Sequence, residues 1–138
     1  MPYKMTASAG EEASSTYEGR HISVLESLLT HVDPGDGLVD KGQPVVCTSL
    51  VGVAFNSALA SNDYIAIDTE GIWYLSVVAA NAVAVGQHLF ITNGGVITDA
   101  NLATSRNFGY ALQAIAAAGT QVIAVKVHFE APAVPAGV

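Results

Sequence analysis

Charge is scarce in this sequence. Asp, Glu, Lys and Arg make up 12% of its 138 residues, about half the share of an average globular domain. Basic residues are scarcer still: five Lys plus Arg stand against twelve Asp plus Glu, a net charge of -7. Affinity for nucleic acid rests on cations meeting phosphates, so this balance argues against a nucleic-acid binder. It argues equally against docking on an anionic membrane. A single cysteine, Cys47, rules out an intramolecular disulfide, a cysteine-rich zinc site and CxxC redox chemistry. Long apolar runs are missing too. Leu75 to Ile91 comes nearest to a membrane span but is broken by Asn81, Gly86, Gln87 and His88. The first twenty residues hold no apolar core segment, so no secretory signal is expected.

Hydrophobic residues, by contrast, are plentiful at 51%. A chain of 14.2 kDa hides roughly two-thirds of its unfolded surface on folding, enough for one core without staples. With so few charges to solvate every face, part of the surface should be an interface. Met1 to Arg20 is small, polar and without period, which predicts a flexible N-terminal arm. Residues 21–130 are expected to form a single β-rich domain. Ala131 to Val138, with two prolines that cannot donate to a ladder, reads as a C-terminal tail.

Short strands dominate between these ends. In Gln121 to Phe129, Ile123, Val125, Val127 and Phe129 share one face while Lys126 and His128 take the other. Tyr64 to Asp68 places Ile65 and Ile67 together, and Gly71 to Val78 places Trp73, Leu75 and Val77 opposite Ile72, Tyr74 and Ser76. The brief link between these two predicts a hairpin. Asn93-Gly94-Gly95 predicts another within His88 to Thr98, because these residues tolerate positive φ. Pro44 to Ala54 and Phe108 to Ile115 complete the set. The expected core is Ile65, Ile67, Trp73, Leu75, Leu89, Ile91, Ile123, Val125 and Val127. Ser23 to Glu26 has the spacing of a capping box, with Leu25, Leu28, Leu29 and Val32 at helical intervals. A helix of two to three turns and an extended Ile22 to Glu26 both fit. The fold class is therefore mainly β, a small barrel or sandwich with minor helix.

Catalytic chemistry is hard to find. His21, His31, His88 and His128 lack the spacing of a metal-binding pair, and His88 and His128 read as solvent-facing strand residues. Asp33, Asp36 and Asp40 lie among Pro34, Gly35 and Gly37, where Asp stabilises turns through nearby backbone. They lack the spacing of a calcium loop. No nucleophile elbow, zinc-protease helix or phosphate loop occurs. Cys47, in an apolar stretch, reads as a small buried hydrophobe. No catalytic residue, metal ligand or cofactor is predicted.

A series of short motifs is more informative in its order than in any single member. It runs Gly42-Gln43-Pro44-Val45-Val46, then Val51-Gly52-Val53-Ala54, then the strands at Tyr64 to Asp68 and Gly71 to Val78. Val85-Gly86-Gln87-His88-Leu89-Phe90, Gly109-Tyr110-Ala111-Leu112 and Gly119-Thr120-Gln121 to Phe129 follow, the last with alternating Val125-Lys126-Val127. From Gly42 to Phe129 this order resembles the phage capsid cement, or head decoration, proteins. Met1 to Asp40 departs from their pattern.

The resemblance implies a β-tulip-like fold related to the lambda-type decoration protein. It implies a protein on the outer surface of an expanded head, clamping neighbouring capsomers against internal DNA pressure. The expected partners are the major capsid protein and further copies of the chain, as a trimer, with no nucleic acid and no membrane. The expected place is the virion, after assembly in the host cytoplasm. In the arm, Tyr3, Lys4, Tyr17 and Arg20 are residue types that anchor interfaces, and are the candidate capsid-binding residues. Two other classes stay open. A carbohydrate-binding sandwich or virion adhesin would need exposed aromatics in a row, whereas Trp73 and Tyr74 point to opposite faces. An oligomeric enzyme would need a polar pocket across a subunit interface.

Overall fold

The computed structural model describes Ala9 and residues 21–128. Nine strands occur among them: β1 (His21–Leu25), β2 (Pro44–Cys47), β3 (Leu50–Ala54), β4 (Tyr64–Asp68), β5 (Ile72–Ala79), β6 (His88–Ile91), β7 (Ile97–Thr98), β8 (Arg106–Ala111) and β9 (Gly119–Val127). A 3-10 turn, Glu26–Leu28, follows β1. The strands form two units. A curled sheet has the order β1-β4-β3-β2, and a closed barrel runs β5-β7-β6-β8-β9. The expectation of a mainly β barrel or sandwich with minor helix is met.

Two apolar clusters fill the units. One lines the barrel with Leu75, Val77, Leu89, Ile91, Ile97, Phe108, Ile123, Val125 and Val127, and it also takes in Val46, Val51 and Val53 of the curled sheet. The other, inside the curled sheet, contains Val39, Val45, Ala54, Ile65 and Ile67, with Ile22 and Val24 packed against it. Strands β2 and β3 are therefore the wall between the cores. That explains the unbroken run Val51-Gly52-Val53-Ala54: all four are buried, because each face of β3 meets apolar neighbours. Eight of the nine expected core residues are buried. Trp73 is half-buried at the margin of the barrel cluster. Phe108, absent from the expected set, is the largest fully buried side chain.

Several sequence expectations need correction. The strand expected over Pro44 to Ala54 is two strands joined by the two-residue turn Thr48-Ser49, with Cys47 paired to Leu50. Thr48 adopts φ 58, a conformation that the β-branched side chain gives no reason to expect. Cys47 ends β2 half-buried rather than buried.

Tyr64 to Asp68 and Gly71 to Val78 are both strands but do not form a hairpin with each other. β4 pairs with β1 and β3, while β5 pairs with β7 and β9. Ile65 and Ile67 belong to the core of the curled sheet, and Leu75 and Val77 to that of the barrel. The link between β4 and β5 thus carries the chain from one unit to the other. The Asn93-Gly94-Gly95 hairpin does form, between β6 and β7.

The helical alternative for Ser23 to Val32 is replaced by β1 and the 3-10 turn. All five β1 residues pair with β4, which packs the half-buried Ile22 and Val24 against the curled-sheet core. Leu28 and Val32, placed on a helix face by their spacing, are instead exposed. Near the end, β8 spans Arg106–Ala111 rather than Phe108 to Ile115, and β9 begins at Gly119. Phe129, the arm with Tyr3, Lys4, Tyr17 and Arg20, and the tail Ala131 to Val138 lie outside the described residues.

Candidate interaction surface

Alternation in the barrel strands sends one set of side chains inward and the other out. The inward set is the core. The outward set on β5 is Ile72, Tyr74, Ser76 and Val78. Cross-strand pairing places them beside Lys126, Ala124, Val122 and Thr120 of β9. Tyr74 is 76% exposed, Ile72 64% and Val122 62%. Leu112 adjoins them, its amide donating to the Ala124 carbonyl at 2.9 Å, and its side chain is also exposed.

Next to this aliphatic area runs a row of rings. His88 and Phe90 are two apart on β6 and stack with centroids 4.9 Å apart. Tyr110 of β8, paired with His88, stacks on it at 5.3 Å. His128 lies 6.0 Å beyond Tyr110. These histidines face outward, as expected, and each ring is half-buried by its neighbours. Lys126 and Glu70 close the row. Their charged groups lie 3.6 Å apart, and Lys126 Nζ also donates to the Glu70 carbonyl.

One close approach holds this surface in shape, and a second shapes the curled sheet. A Cβ built on Gly109 would strike the Lys126 carbonyl of β9, so only glycine lets β8 lie this close. One on Gly52 would sit 2.7 Å from the Asp68 carbonyl of β4. Both glycines belong to the ordered motifs of the sequence, and each marks where two strands nearly touch.

A second cluster sits where the curled sheet meets the barrel. Asp68, only 2% exposed, accepts from the amides of Glu70 at 3.0 Å and Gly71 at 2.9 Å. Its other oxygen accepts the Trp73 indole N–H at 3.1 Å. Phe55 meets the Trp73 ring edge-on at 6.0 Å and tilts against His21 at 4.6 Å, with Lys41 Nζ 5.7 Å from its centroid. Trp73 is thus turned into the molecule while Tyr74 faces out, and the two do not make a row of exposed aromatics.

The acidic loop is built as its sequence predicts. Asp33 Oδ1 accepts from the amides of Gly35 at 2.8 Å and Gly37 at 2.9 Å, and Asp36 accepts from Leu38. Those amide bonds, Gly35's first, lower the Asp33 pKa below its ordinary value; slight desolvation opposes them and His31 adds a small attraction. Sequence reasoning missed the pairing of His31 with Glu26. Both side chains are more than nine-tenths buried, with His31 Nε2 3.4 Å from Glu26 Oε1. His31 Nδ1 lies 2.9 Å from the Val32 carbonyl. The His31 backbone abuts Gly95 of the β6–β7 hairpin, so this pair sits where curled sheet and barrel touch.

An outward surface of apolar residues and stacked rings, with the Glu70 carboxylate at its edge facing Lys126 and His128, is suited to contact with protein. Comparison with known families agrees. Residues 26–127 match the phage cement proteins, and the chain belongs to that family. The match begins at Glu26, ahead of the Gly42 at which the motif order starts. No curated protein and no solved structure matches the chain. The family is structural, and membership gives the chain a general role as a cement protein of the phage capsid.

Proposed function

We propose that this protein decorates the outer surface of an expanded phage head and stabilises it by clamping neighbouring capsomers. Its membership of the cement family over residues 26–127 carries the proposal. The physical character of the chain supports it. A clamp needs apolar contact area and no reaction centre, and the barrel exposes such area. A net charge of -7 disfavours binding to packaged DNA. The direct partner is the major capsid protein. Further copies of the chain make a trimer at three-fold positions, where several weak contacts add as avidity.

In this reading residues 1–20 form an arm, 21–130 the clamping body and 131–138 a tail. Tyr3, Lys4, Tyr17 and Arg20 contact the shell, the arm adding a strand to an exposed sheet edge. Ordering the arm costs roughly 1–2 kcal/mol per residue, so several backbone bonds and a buried aromatic must offset it. Deleting Met1 to Ser15 tests this by co-sedimentation with expanded heads. The melting temperature should stay nearly unchanged while head binding falls about tenfold or more, a loss of roughly 1.4 kcal/mol. Undiminished binding would assign the clamping to the body alone.

A further inference from the structure

We infer that the outer face of β5, β9 and β8 is where copies of this chain meet, the strip Ile72, Tyr74 and Val78 of one copy lying against Leu112 and the ring row of the next. Charge points to a second copy as the occupant. At a net -7, two copies repel at most approaches. None of the barrel strands β5 to β9 contains an Asp or Glu. The described carboxylates lie in the curled sheet and the connections, and Glu70 at the margin is matched by Lys126. This face therefore lets a like-charged partner approach without setting carboxylate against carboxylate.

Extent supports the same occupant. Tyr74, Ile72, Val122, Val78 and Leu112 are all exposed on one continuous surface. Together with the ring row they form a contiguous apolar patch, the kind of surface that marks association sites. The two flanks differ in chemistry. β5 presents aliphatic groups and one free phenol; β6 and β8 present stacked rings beside Leu112. Unlike flanks meeting head to tail form a heterologous contact, which closes into a ring when the rotation between copies permits and otherwise runs on as a filament. Closure on three copies rests on the trimeric reading above, whereas the location of the contact does not.

The test is the solution mass of the full-length chain, without heads, across a concentration series. The parent should be oligomeric. Tyr74→Asp and Leu112→Asp should each give folded monomers with the parent's circular dichroism. Mixing the two should restore heterodimers, because one intact contact can form between them. Should Tyr74→Asp not fold, Val122→Lys on the same face replaces it. An oligomer that survives these substitutions, or no heterodimer on mixing, would overturn the inference. A parent that is monomeric throughout would overturn it too, and loss of head binding by the same variants would then assign the face to the capsid protein. Since the mass is read without heads, failure here is distinguishable from failure of the decoration role.

Discussion

The Asp68 carboxylate accepts the Trp73 indole N–H at 3.1 Å, tying the last residue of β4 to the second residue of β5. Between them the chain leaves the curled sheet and enters the barrel. Asp68 also holds the amides of Glu70 and Gly71, so one buried side chain fixes both the turn and the ring. Removing it leaves buried donors without an acceptor, which costs more than the bonds are worth in net stability. Asp68→Ala should destabilise the protein by about 3 kcal/mol, and Trp73→Phe by about 1–2 kcal/mol. The double variant should lose less than their sum, because the two residues act on one bond. Denaturant unfolding of all four proteins checks this. Strict additivity would mean that the indole bond contributes nothing to stability.

Gly109 supports the ring row from beneath. An added methyl meets the Lys126 carbonyl, which is backbone and cannot swing aside. Gly109→Ala should push β8 from β9, at a cost of about 2–4 kcal/mol. It should also speed hydrogen exchange at the Tyr110 and Lys126 amides. A variant as stable as the parent would show that the strands have room to separate there.

Asp33 supplies a pH dependence with a defined sign. Its pKa is lowered in the folded chain by the Gly35 and Gly37 amides, so the anion is the form that the loop stabilises. That contribution is present above the ordinary carboxylate range and is lost as pH falls through the lowered value. In a carbon-detected titration, the Asp33 carboxyl should titrate below the ordinary Asp value. The loop amides of Gly35 and Gly37 should shift with it, and Asp33→Asn should abolish that acid transition. An Asp33 midpoint at or above the ordinary value would contradict the assignment.

Much of the barrel was legible in the sequence, because period-two alternation is local. Tyr64–Asp68 was located to the residue, and the inward faces of β5, β6 and β9 were assigned correctly. What could not be read was pairing. Nothing local in Asp68-Thr69-Glu70-Gly71 shows that its flanking strands join different sheets, since their partners β1, β3, β7 and β9 lie elsewhere in the chain. The turn at Thr48-Ser49 was hidden because Thr48 suits a strand and no Gly, Pro, Asn or Asp marks it. The helical spacing of Leu25, Leu28, Leu29 and Val32 lost to the five-residue ladder of β1 with β4. The exposed face was foreseen in kind, from low charge and high apolar content. Its location depended on knowing that β5 and β9 are neighbours. Tyr3, Lys4, Tyr17 and Arg20 stand out in the sequence by residue type alone.

The cement role itself is tested most directly by DNA retention in expanded heads that lack this protein. Heads are heated with and without the purified chain, and DNA release is followed with temperature. The chain should sediment with the heads, saturate at a fixed number of copies and raise the release temperature. The Asp68→Ala variant should do the same at temperatures where it is still folded. Heads that bind the chain to saturation yet release DNA at an unchanged temperature, or that leave it in the supernatant, would contradict the account.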